Sequence, residues 1–244
     1  GLFLIDGQRE IQRAIQSGGA VQALYGTQEE LETFDCGSKS RTHGIPLVSV
    51  SAAVLEKIMF GERESLVAVA AVPEHSLHHY ELQTARNDTP LFAVLEQIEK
   101  PGNIGAVFRS ADGAGLDGVI LADELSDLYN PAVIRNSMGT VFNIPAAVAG
   151  AAETLNYLNK HHIRAATARC EAVVSYTDYD FRQPTAIVLG NEANGLSAHW
   201  YGENITAVSL PMLGIADSLN ISNAAAVLFY EARRQRRANA AGSH

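Results

Sequence analysis

The chain has 244 residues, of which 47% are hydrophobic and 18% charged, a composition typical of a globular protein with one large or two small domains. Its formal net charge of −9 excludes a protein that binds nucleic acid through a generally positive surface, so any such contact must be local. Cys36 and Cys170 form neither a disulfide framework nor a zinc motif, and no apolar run is long enough to cross a bilayer, so we expect a cytoplasmic protein.

Residues 1–72 alternate apolar segments with helical patterns, which predicts a small domain of βαβ-type layers. The predicted strands are residues 2–5, 21–25, 46–50 and 66–72, and the predicted helices are residues 8–16, 28–31 and 52–58. Residues 73–90 have no clear period and predict a linker. The linker contains His75, His78 and His79, but no carboxylate or thiolate lies at matching spacing, so we expect no metal site.

From residue 91 the strands become continuous apolar runs, as expected where both faces of a parallel sheet are covered. We predict strands at residues 91–95, 118–121, 163–168, 186–189 and 207–210, with helical patterns between them. The sequence therefore predicts a second α/β domain over residues 91–244. Its functional loops should lie at the carboxyl ends of the strands.

The first loop with functional residues follows the strand at 91–95 and contains Asn103 and Arg109. Gly102 and Gly105 allow a close approach of backbone there. On a helix, Asn103 and Arg109 are about 120° from facing one another, so the Arg109 side chain is able to extend towards the start of the helix. The alternative is that Arg109 pairs with a carboxylate at the edge of an apolar helix.

A GxGxxG pattern at residues 113–118 does not indicate a dinucleotide-binding site. A dinucleotide fingerprint follows a strand and opens a helix, whereas here a helical pattern comes first and a strand follows. We interpret these glycines as the end of a helix and a turn, which excludes an NAD-type Rossmann enzyme.

A second loop runs from Gly190 to Ser197, where exposed backbone donors accompany a single carboxylate, Glu192, in a turn able to hold a polar ligand. A third loop opens the final helix with five residues able to cap it, namely Asp217, Ser218, Asn220, Ser222 and Asn223. Capping needs one such residue and remains an alternative, but the surplus suggests a ligand. The three loops should converge at the carboxyl ends of three strands.

Three segments carry a resemblance to a known family: residues 101–109 (PGNIGAVFR), residues 189–197 (LGNEANGLS), and residues 210–236, which include LPM, SLNISNA and EARRQR. In this order they resemble the motifs of the SpoU family of RNA ribose 2′-O-methyltransferases, within the SPOUT superfamily. Residues 130–139 resemble the family's intervening segment, and the match covers about residues 90–237. More weakly, residues 1–72 resemble the RNA-binding domain, similar to ribosomal protein L30e, that precedes the catalytic domain in members acting on ribosomal RNA.

The resemblance implies a parallel sheet whose C-terminal segment forms a trefoil knot, an exception to the rule against knots. It also implies S-adenosylmethionine as cofactor, and a homodimer with the site at its interface. The implied catalytic residues are Arg109, Asn103, Glu192, Ser218 and Asn220. The implied cofactor-binding residues are Leu189, Gly190, Asn191, Gly195, Leu210, Met212 and Leu219.

Arg109 is a poor base because a guanidinium hardly deprotonates, so we expect it to stabilise the developing alkoxide and an RNA phosphate by donating hydrogen bonds. The acidic composition indicates a structured RNA that is read by its shape and by a few arginines. Our candidates for phosphate contacts are Arg135, Arg233 and Arg237. For the arginines at 233–237, the alternative is that they complement the negative end of the final helix.

We favour ribosomal RNA as the substrate because the first domain resembles the ribosomal-RNA members, with transfer RNA as the alternative. A non-catalytic RNA-binding or assembly protein that keeps the fold is the alternative from another functional class. We expect no metal and no membrane partner.

Overall fold

The computed structural model describes residues 1–35, 44–60, 66–77 and 89–241, and the side chains of these residues up to 237. The first part of the chain contains β1 (Leu2–Asp6), α1 (Gln8–Gln16), β2 (Val21–Gly26), α2 (Gln28–Thr33), β3 (Leu47–Ser49), α3 (Ala52–Ile58) and β4 (Leu66–Ala71). Every strand and helix predicted for this part is present. α2 ends at Thr33, two residues later than predicted, and a capping box formed by Thr27 and Glu30 stabilises its first turn.

The first sheet has the strand order β1-β4-β2-β3. β4 lies between β1 and β2 and is antiparallel to both, whereas β3 is parallel to β2. The expectation of βαβ-type layers is therefore correct for β2, α2 and β3 only. The rest of the sheet is antiparallel because the last strand of the segment inserts between the first two.

The second part forms a parallel sheet with helices on both faces. Its strands are β5 (Leu91–Glu96), β6 (Gly118–Ala122), β7 (Ala146–Ala149), β8 (Arg164–Ala168), β9 (Val174–Ser175), β10 (Thr185–Leu189) and β11 (Ile205–Ser209). Its helices are α4 (Pro101–Ala114), α5 (Pro131–Asn136), α6 (Ala151–Lys160) and α7 (Ile221–Ala241). The strand order is β7-β6-β5-β10-β8-β11-β9, and every neighbouring pair is parallel.

The centre of this sheet matches the prediction from apolar runs, since every residue of β5, β6 and β10 is buried. The predicted sheet lacked β7 and β9. β7 consists mainly of alanine, and β9 has two residues at the sheet edge, so neither carries a strong strand pattern. α4 ends at Ala114 with Gly115 in the left-handed conformation (φ 69°), which confirms the interpretation of the GxGxxG pattern as a helix end.

The two parts of the chain share one hydrophobic core. It runs from Ile5 and Leu24 in the first sheet to Phe108 and Phe229 on α4 and α7. At the junction the rings of Phe3 and Tyr129 stack with their centroids 4.6 Å apart. Continuous burial of this kind fixes the two sheets relative to each other.

Charged side chains reinforce the junction. Arg135 Nη1 donates a hydrogen bond of 2.8 Å to the carbonyl of Phe60 and lies 4.0 Å from the Asp6 carboxylate. Arg13 Nη1 donates to the carbonyl of Met138 at 2.5 Å. Arg135 was predicted to contact RNA phosphate, but here its guanidinium joins α5 to the first sheet.

The predicted linker is only partly described. Ser76 pairs with Val148 at the edge of the second sheet, and Leu77 is buried in the same hydrophobic cluster as Phe92. His78 and His79 lie outside the described residues. None of the helices in the described ranges combines the length and the apolar composition that a membrane-spanning segment needs.

Candidate active site

The site begins at the carboxyl end of β5, where Pro101 starts α4 and Asn103 lies in its first turn. α4 packs between α5 and α7. A Cβ atom at Gly105 would lie 2.5 Å from the Val133 carbonyl oxygen, so only glycine permits this contact between α4 and α5. The tight packing holds Asn103 at the edge of the sheet.

Asn103 joins all three loops through its amide group. Its Nδ2 donates a short hydrogen bond to Glu192 Oε1 in the second loop. Its Oδ1 accepts a hydrogen bond of 3.2 Å from Asn220 Nδ2 in the third loop. The convergence predicted from the carboxyl ends of the strands is therefore present for Asn103, Glu192 and Asn220.

The contacts of Asn220 agree with both interpretations of the polar residues before α7, namely helix capping and ligand binding. Its Oδ1 accepts hydrogen bonds from the Ser222 backbone N–H (2.9 Å) and hydroxyl (2.6 Å), so it caps α7. Its Nδ2 faces Asn103 at the same time. A single residue thus caps the helix and belongs to the polar cluster, while Ser218 lines the neighbouring cavity.

Hydrogen bonds of Asn191, which is 4% exposed, fix the conformation of the second loop. Its Oδ1 accepts hydrogen bonds from the backbone N–H groups of Ala193 (2.8 Å) and Asn194 (3.0 Å), and its Nδ2 donates to the Gln97 carbonyl at 2.9 Å. A Cβ atom at Gly190 would lie 2.5 Å from the backbone oxygen of Gly195, so the two ends of the turn meet at van der Waals limits. Asn191 is therefore a framework residue that fixes the turn around Glu192.

A buried carboxylate anchors the end of this loop. Glu96, which is 1% exposed, accepts hydrogen bonds from the backbone N–H (2.8 Å) and hydroxyl (2.6 Å) of Ser197. No motif in the sequence includes Glu96, which directly follows the apolar run at residues 91–95. Its partner Ser197 belongs to the second motif.

A cavity of about 460 Å³ lies beside the cluster, between the loops that follow β8, β10 and β11. All seven residues predicted to bind the cofactor line it, together with Glu192 and Ser218. Leu189, Leu210 and Leu219 give one part of the wall an apolar character, and Glu192 supplies negative charge. The cavity is therefore able to hold an amphipathic ligand with a cationic centre.

A further part of this wall, which was not predicted from the sequence, is formed by Ala168, Arg169, Cys170, Glu171 and Tyr201. Ala168 ends β8 and the next three residues follow it, and this strand was predicted almost as observed. The rule that functional loops follow the carboxyl ends of strands would have pointed to them. No pattern in the sequence singles out Tyr201, which lines the cavity and accepts a hydrogen bond from Arg169.

Arg109 lies apart from the cavity of its own chain. It follows Gly102 by about two helical turns and therefore shares the face of α4 that packs against α5, roughly 9 Å further along the axis than Asn103. It is exposed, and within the described part of the chain its guanidinium has no hydrogen-bond or ion-pair partner. The alternative of a carboxylate partner is thus not observed among the described residues.

The four arginines of α7 have different surroundings. Arg234 pairs with Glu231 at 2.8 Å, and this hydrogen bond lowers the pKa of the Glu231 carboxyl. Arg236 donates to the carbonyls of Phe181 (2.9 Å) and Gln183 (3.0 Å), which ties α7 to the preceding loop. The remaining two, Arg233 and Arg237, are exposed. None of the four lies in the last turn of α7, so the helix-end alternative does not account for them.

Comparisons with known proteins agree with this geometry. Residues 90–230 match the SpoU rRNA Methylase family, and residues 1–68 match the MRM3-like substrate binding domain. The chain is 35% identical to a 23S rRNA (uridine(2479)-2′-O)-methyltransferase of Streptomyces viridochromogenes, with 97% of this chain and 84% of the relative covered. It is also 35% identical to the 23S rRNA (guanosine-2′-O-)-methyltransferase RlmB of Xylella fastidiosa, with 83% of each chain covered.

Among solved structures, the SpoU methyltransferase AviRb from Streptomyces viridochromogenes in complex with the cofactor AdoMet superposes with a TM-score of 0.87. The two chains are 31% identical, and the match covers 97% of this chain and 91% of the other. The resemblance inferred from the three motifs is confirmed, as is the α/β fold with a parallel sheet. The chain belongs to the SpoU rRNA methylase family.

Proposed function

We propose that this chain transfers a methyl group from S-adenosylmethionine to a ribose 2′-hydroxyl of RNA, with ribosomal RNA as the substrate. The observation that carries the proposal is the hydrogen-bonded cluster of Asn103, Glu192 and Asn220 beside the cavity. Its members come from three separate loops, and simple packing of a parallel sheet does not require them to meet. The relatives named as 23S rRNA 2′-O-methyltransferases support the same reaction.

The residues of the cavity fit the proposed cofactor. The close approach of Gly190 and Gly195 presents backbone rather than side chain to a ligand. Apolar side chains suit the aromatic end of the cofactor, and the Glu192 carboxylate suits a sulfonium. When bound, S-adenosylmethionine supplies an electrophilic methyl group.

The chain's own residues have to hold the ribose and stabilise its oxygen. In our proposal Asn103, Ser218 and Asn220 orient the ribose by hydrogen bonds, and Glu192 keeps Asn103 in one orientation. Arg109 donates hydrogen bonds to the oxygen as negative charge develops and to an adjacent RNA phosphate. The hydroxyl proton leaves through that phosphate or through water, since a guanidinium does not accept it.

In a homodimer, Arg109 of one copy would lie at the cavity of the other copy. The Arg109 side chain is exposed, and apolar side chains are also exposed on the third loop and on α7, namely Leu213, Ile215, Val227 and Tyr230. Burying such side chains against a second copy stabilises association. We propose that Arg109 acts at the interface of this dimer, and that the C-terminal segment of the chain is threaded into a trefoil knot. A molecular mass measured by light scattering tests the dimer.

For RNA we propose contacts from Arg233 and Arg237, since Arg135, Arg234 and Arg236 have partners within the chain. The overall charge of −9 leaves few other sources of attraction to phosphate. The first domain matches a substrate-binding domain, which supports a structured ribosomal RNA as the partner. Such a substrate is consistent with the cytoplasmic location expected from the sequence.

The test is a methyl-transfer assay with isotopically labelled S-adenosylmethionine and purified ribosomal or transfer RNA, followed by digestion to nucleosides. We expect labelled 2′-O-methylnucleoside from ribosomal RNA. Label in transfer RNA alone would favour the alternative substrate. Binding of RNA without any binding of S-adenosylmethionine in a calorimetric titration would favour a non-catalytic protein.

A further inference from the structure

Arg169 and Tyr201 form a pair on the cavity wall, and neither belongs to the three motifs. Arg169 directly follows β8, and its side chain is only 9% exposed. Its guanidinium carbon lies 3.9 Å from the centroid of the Tyr201 ring, and Nη1 donates to the Tyr201 hydroxyl. A cation–π contact and a hydrogen bond from Arg169 therefore hold the Tyr201 ring in place.

Two further hydrogen bonds fix the guanidinium group of Arg169. Nη2 donates to the carbonyl of Trp200 at 2.9 Å, and Nε donates to the hydroxyl of Thr167 at 3.3 Å. Tyr201 remains 65% exposed although Arg169 covers one face of its ring. The structure thus presents an aromatic ring that Arg169 holds on one face, that is otherwise largely exposed, and that lines the cavity.

The strand order gives the position of this ring relative to the polar cluster. Asn103 follows β5 and Glu192 follows β10, whereas Arg169 follows β8, the next strand along the sheet. Neighbouring strands are about 4.8 Å apart, so Arg169 starts roughly 10 Å from the end of β5. A ligand whose reacting group lies at the cluster would bring its far end towards Tyr201.

We propose that the Tyr201 ring stacks on the adenine ring of S-adenosylmethionine, and that Arg169 is a positioning residue that holds Tyr201 for this contact. A planar ring gains most from a planar aromatic partner that is already immobilised, because little conformational entropy remains to be lost. The inference rests on the proposed function, since it assigns one end of the same cofactor. A base of the RNA substrate is the competing occupant.

The experiment measures dissociation constants by calorimetry for S-adenosylmethionine and for 5′-methylthioadenosine, which lacks the amino-acid end. For Tyr201→Ala we expect binding of both ligands to weaken by a similar factor of about 10. Tyr201→Phe keeps the ring and should bind like the wild type to within about twofold. His199→Ala is the matched control, because His199 is an exposed ring close by that does not line the cavity.

Arg169→Gln tests the positioning role. It should weaken binding in the wild-type background and have little further effect in the Tyr201→Ala background, because the two residues act as one unit. Equal and additive losses in both backgrounds would show that Arg169 acts independently of Tyr201 and would overturn its assigned role.

Two results separate this proposal from the proposed function. If the wild type binds S-adenosylmethionine and Tyr201→Ala binds both ligands equally well, the adenine contact is wrong while the methyltransferase proposal stands. Weakened binding of RNA with unchanged binding of both ligands would assign Tyr201 to the RNA base and overturn the proposal. Failure of the wild type to bind S-adenosylmethionine would overturn the proposed function itself.

Discussion

The amide of Asn220 donates a hydrogen bond of 3.2 Å to the side-chain oxygen of Asn103, although 117 residues separate the two in the chain. Asn103 in turn donates to Glu192, so its amide group uses both its oxygen and its nitrogen. A neutral amide supplies both the donor and the acceptor of this arrangement at neutral pH, whereas an ionised carboxylate only accepts. The cluster therefore depends on the uncharged amide of Asn103.

Asn103→Asp should lower the methyl-transfer rate by about 10²-fold at neutral pH, because the new carboxylate cannot donate to Glu192 and repels it. The repulsion raises the pKa of the carboxyl pair. As the pH falls through this raised pKa, one carboxyl becomes protonated and able to donate, so part of the activity should return. Initial rates from about pH 5 to 8 measure this effect.

The structure offers a matched control for that variant. Asn143 donates a hydrogen bond of 2.7 Å to the Asp112 carboxylate on the same helix as Asn103, but away from the cavity. Asn143→Asp introduces the same chemical change and should leave the rate and its pH dependence unchanged. A similar loss in both variants would argue that Asn103 matters only for the stability of the fold.

Arg233→Ala and Arg237→Ala should each weaken RNA binding and reduce the slope of log Kd against log salt by about 0.7–0.9. Both arginines are exposed on α7, and each phosphate contact releases a counterion. Arg234→Ala is the control, because Arg234 lies between them and pairs with Glu231. Equal slopes for the wild type and all three variants would remove α7 from the RNA-binding surface.

Arg135→Ala should lower the free energy of unfolding by about 1–2 kcal/mol, because it removes a charged hydrogen bond between α5 and the first sheet. Denaturation in urea measures the change. The surface pair of Arg182 with Asp180 provides a control, and Arg182→Ala should have a smaller effect. If Arg135→Ala leaves stability unchanged but reduces the salt slope of RNA binding, the original assignment to RNA contact is correct.

The stability of the domain junction should fall at high pH. Burial, and to a lesser extent the nearby Asp127 carboxylate, raise the pKa of Tyr129 to about 12. The folded protein therefore holds this proton more tightly than the unfolded chain, where the pKa is near 10.0. The corresponding contribution is present below pH 10 and is lost as the pH rises through the folded value.

Tyr129→Phe removes the ionisable group and should reduce the loss of stability between about pH 10 and 12 by about 2 kcal/mol. Its stacking on Phe3 is retained by the phenyl ring. Unfolding in urea at several pH values measures the difference between the two proteins. Parallel pH profiles for the wild type and Tyr129→Phe would contradict the assignment of the effect to Tyr129.

The sequence predicted the features that depend on local patterns. Residues 8–16 and 52–58 have the helix bounds observed for α1 and α3, because apolar spacing determines both. The three polar loops could be placed at one edge because parallel strands end together. For the same reason Asn103, Glu192 and Asn220 were predicted to converge before their hydrogen bonds were known.

Features that depend on distant contacts were not predictable in this way. The insertion of β4 between β1 and β2 reverses part of the first sheet, and no local pattern in residues 66–71 specifies that partner choice. No local pattern in the sequence indicates that Arg135 contacts Asp6 and Phe60, which are distant in the chain. Tyr201 lines the cavity next to Arg169, to which it is hydrogen-bonded although the two residues are 32 apart in the chain.

The central claim is that Arg109 acts on a ribose held beside the cavity, and a single-turnover methyl-transfer assay of Arg109→Ala tests it most directly. The account predicts a rate about 10²–10³-fold below the wild type, with the Kd for S-adenosylmethionine nearly unchanged. Arg182→Ala, which removes another exposed arginine, should leave the rate unaltered. An Arg109→Ala protein that methylates RNA as fast as the wild type would contradict the account.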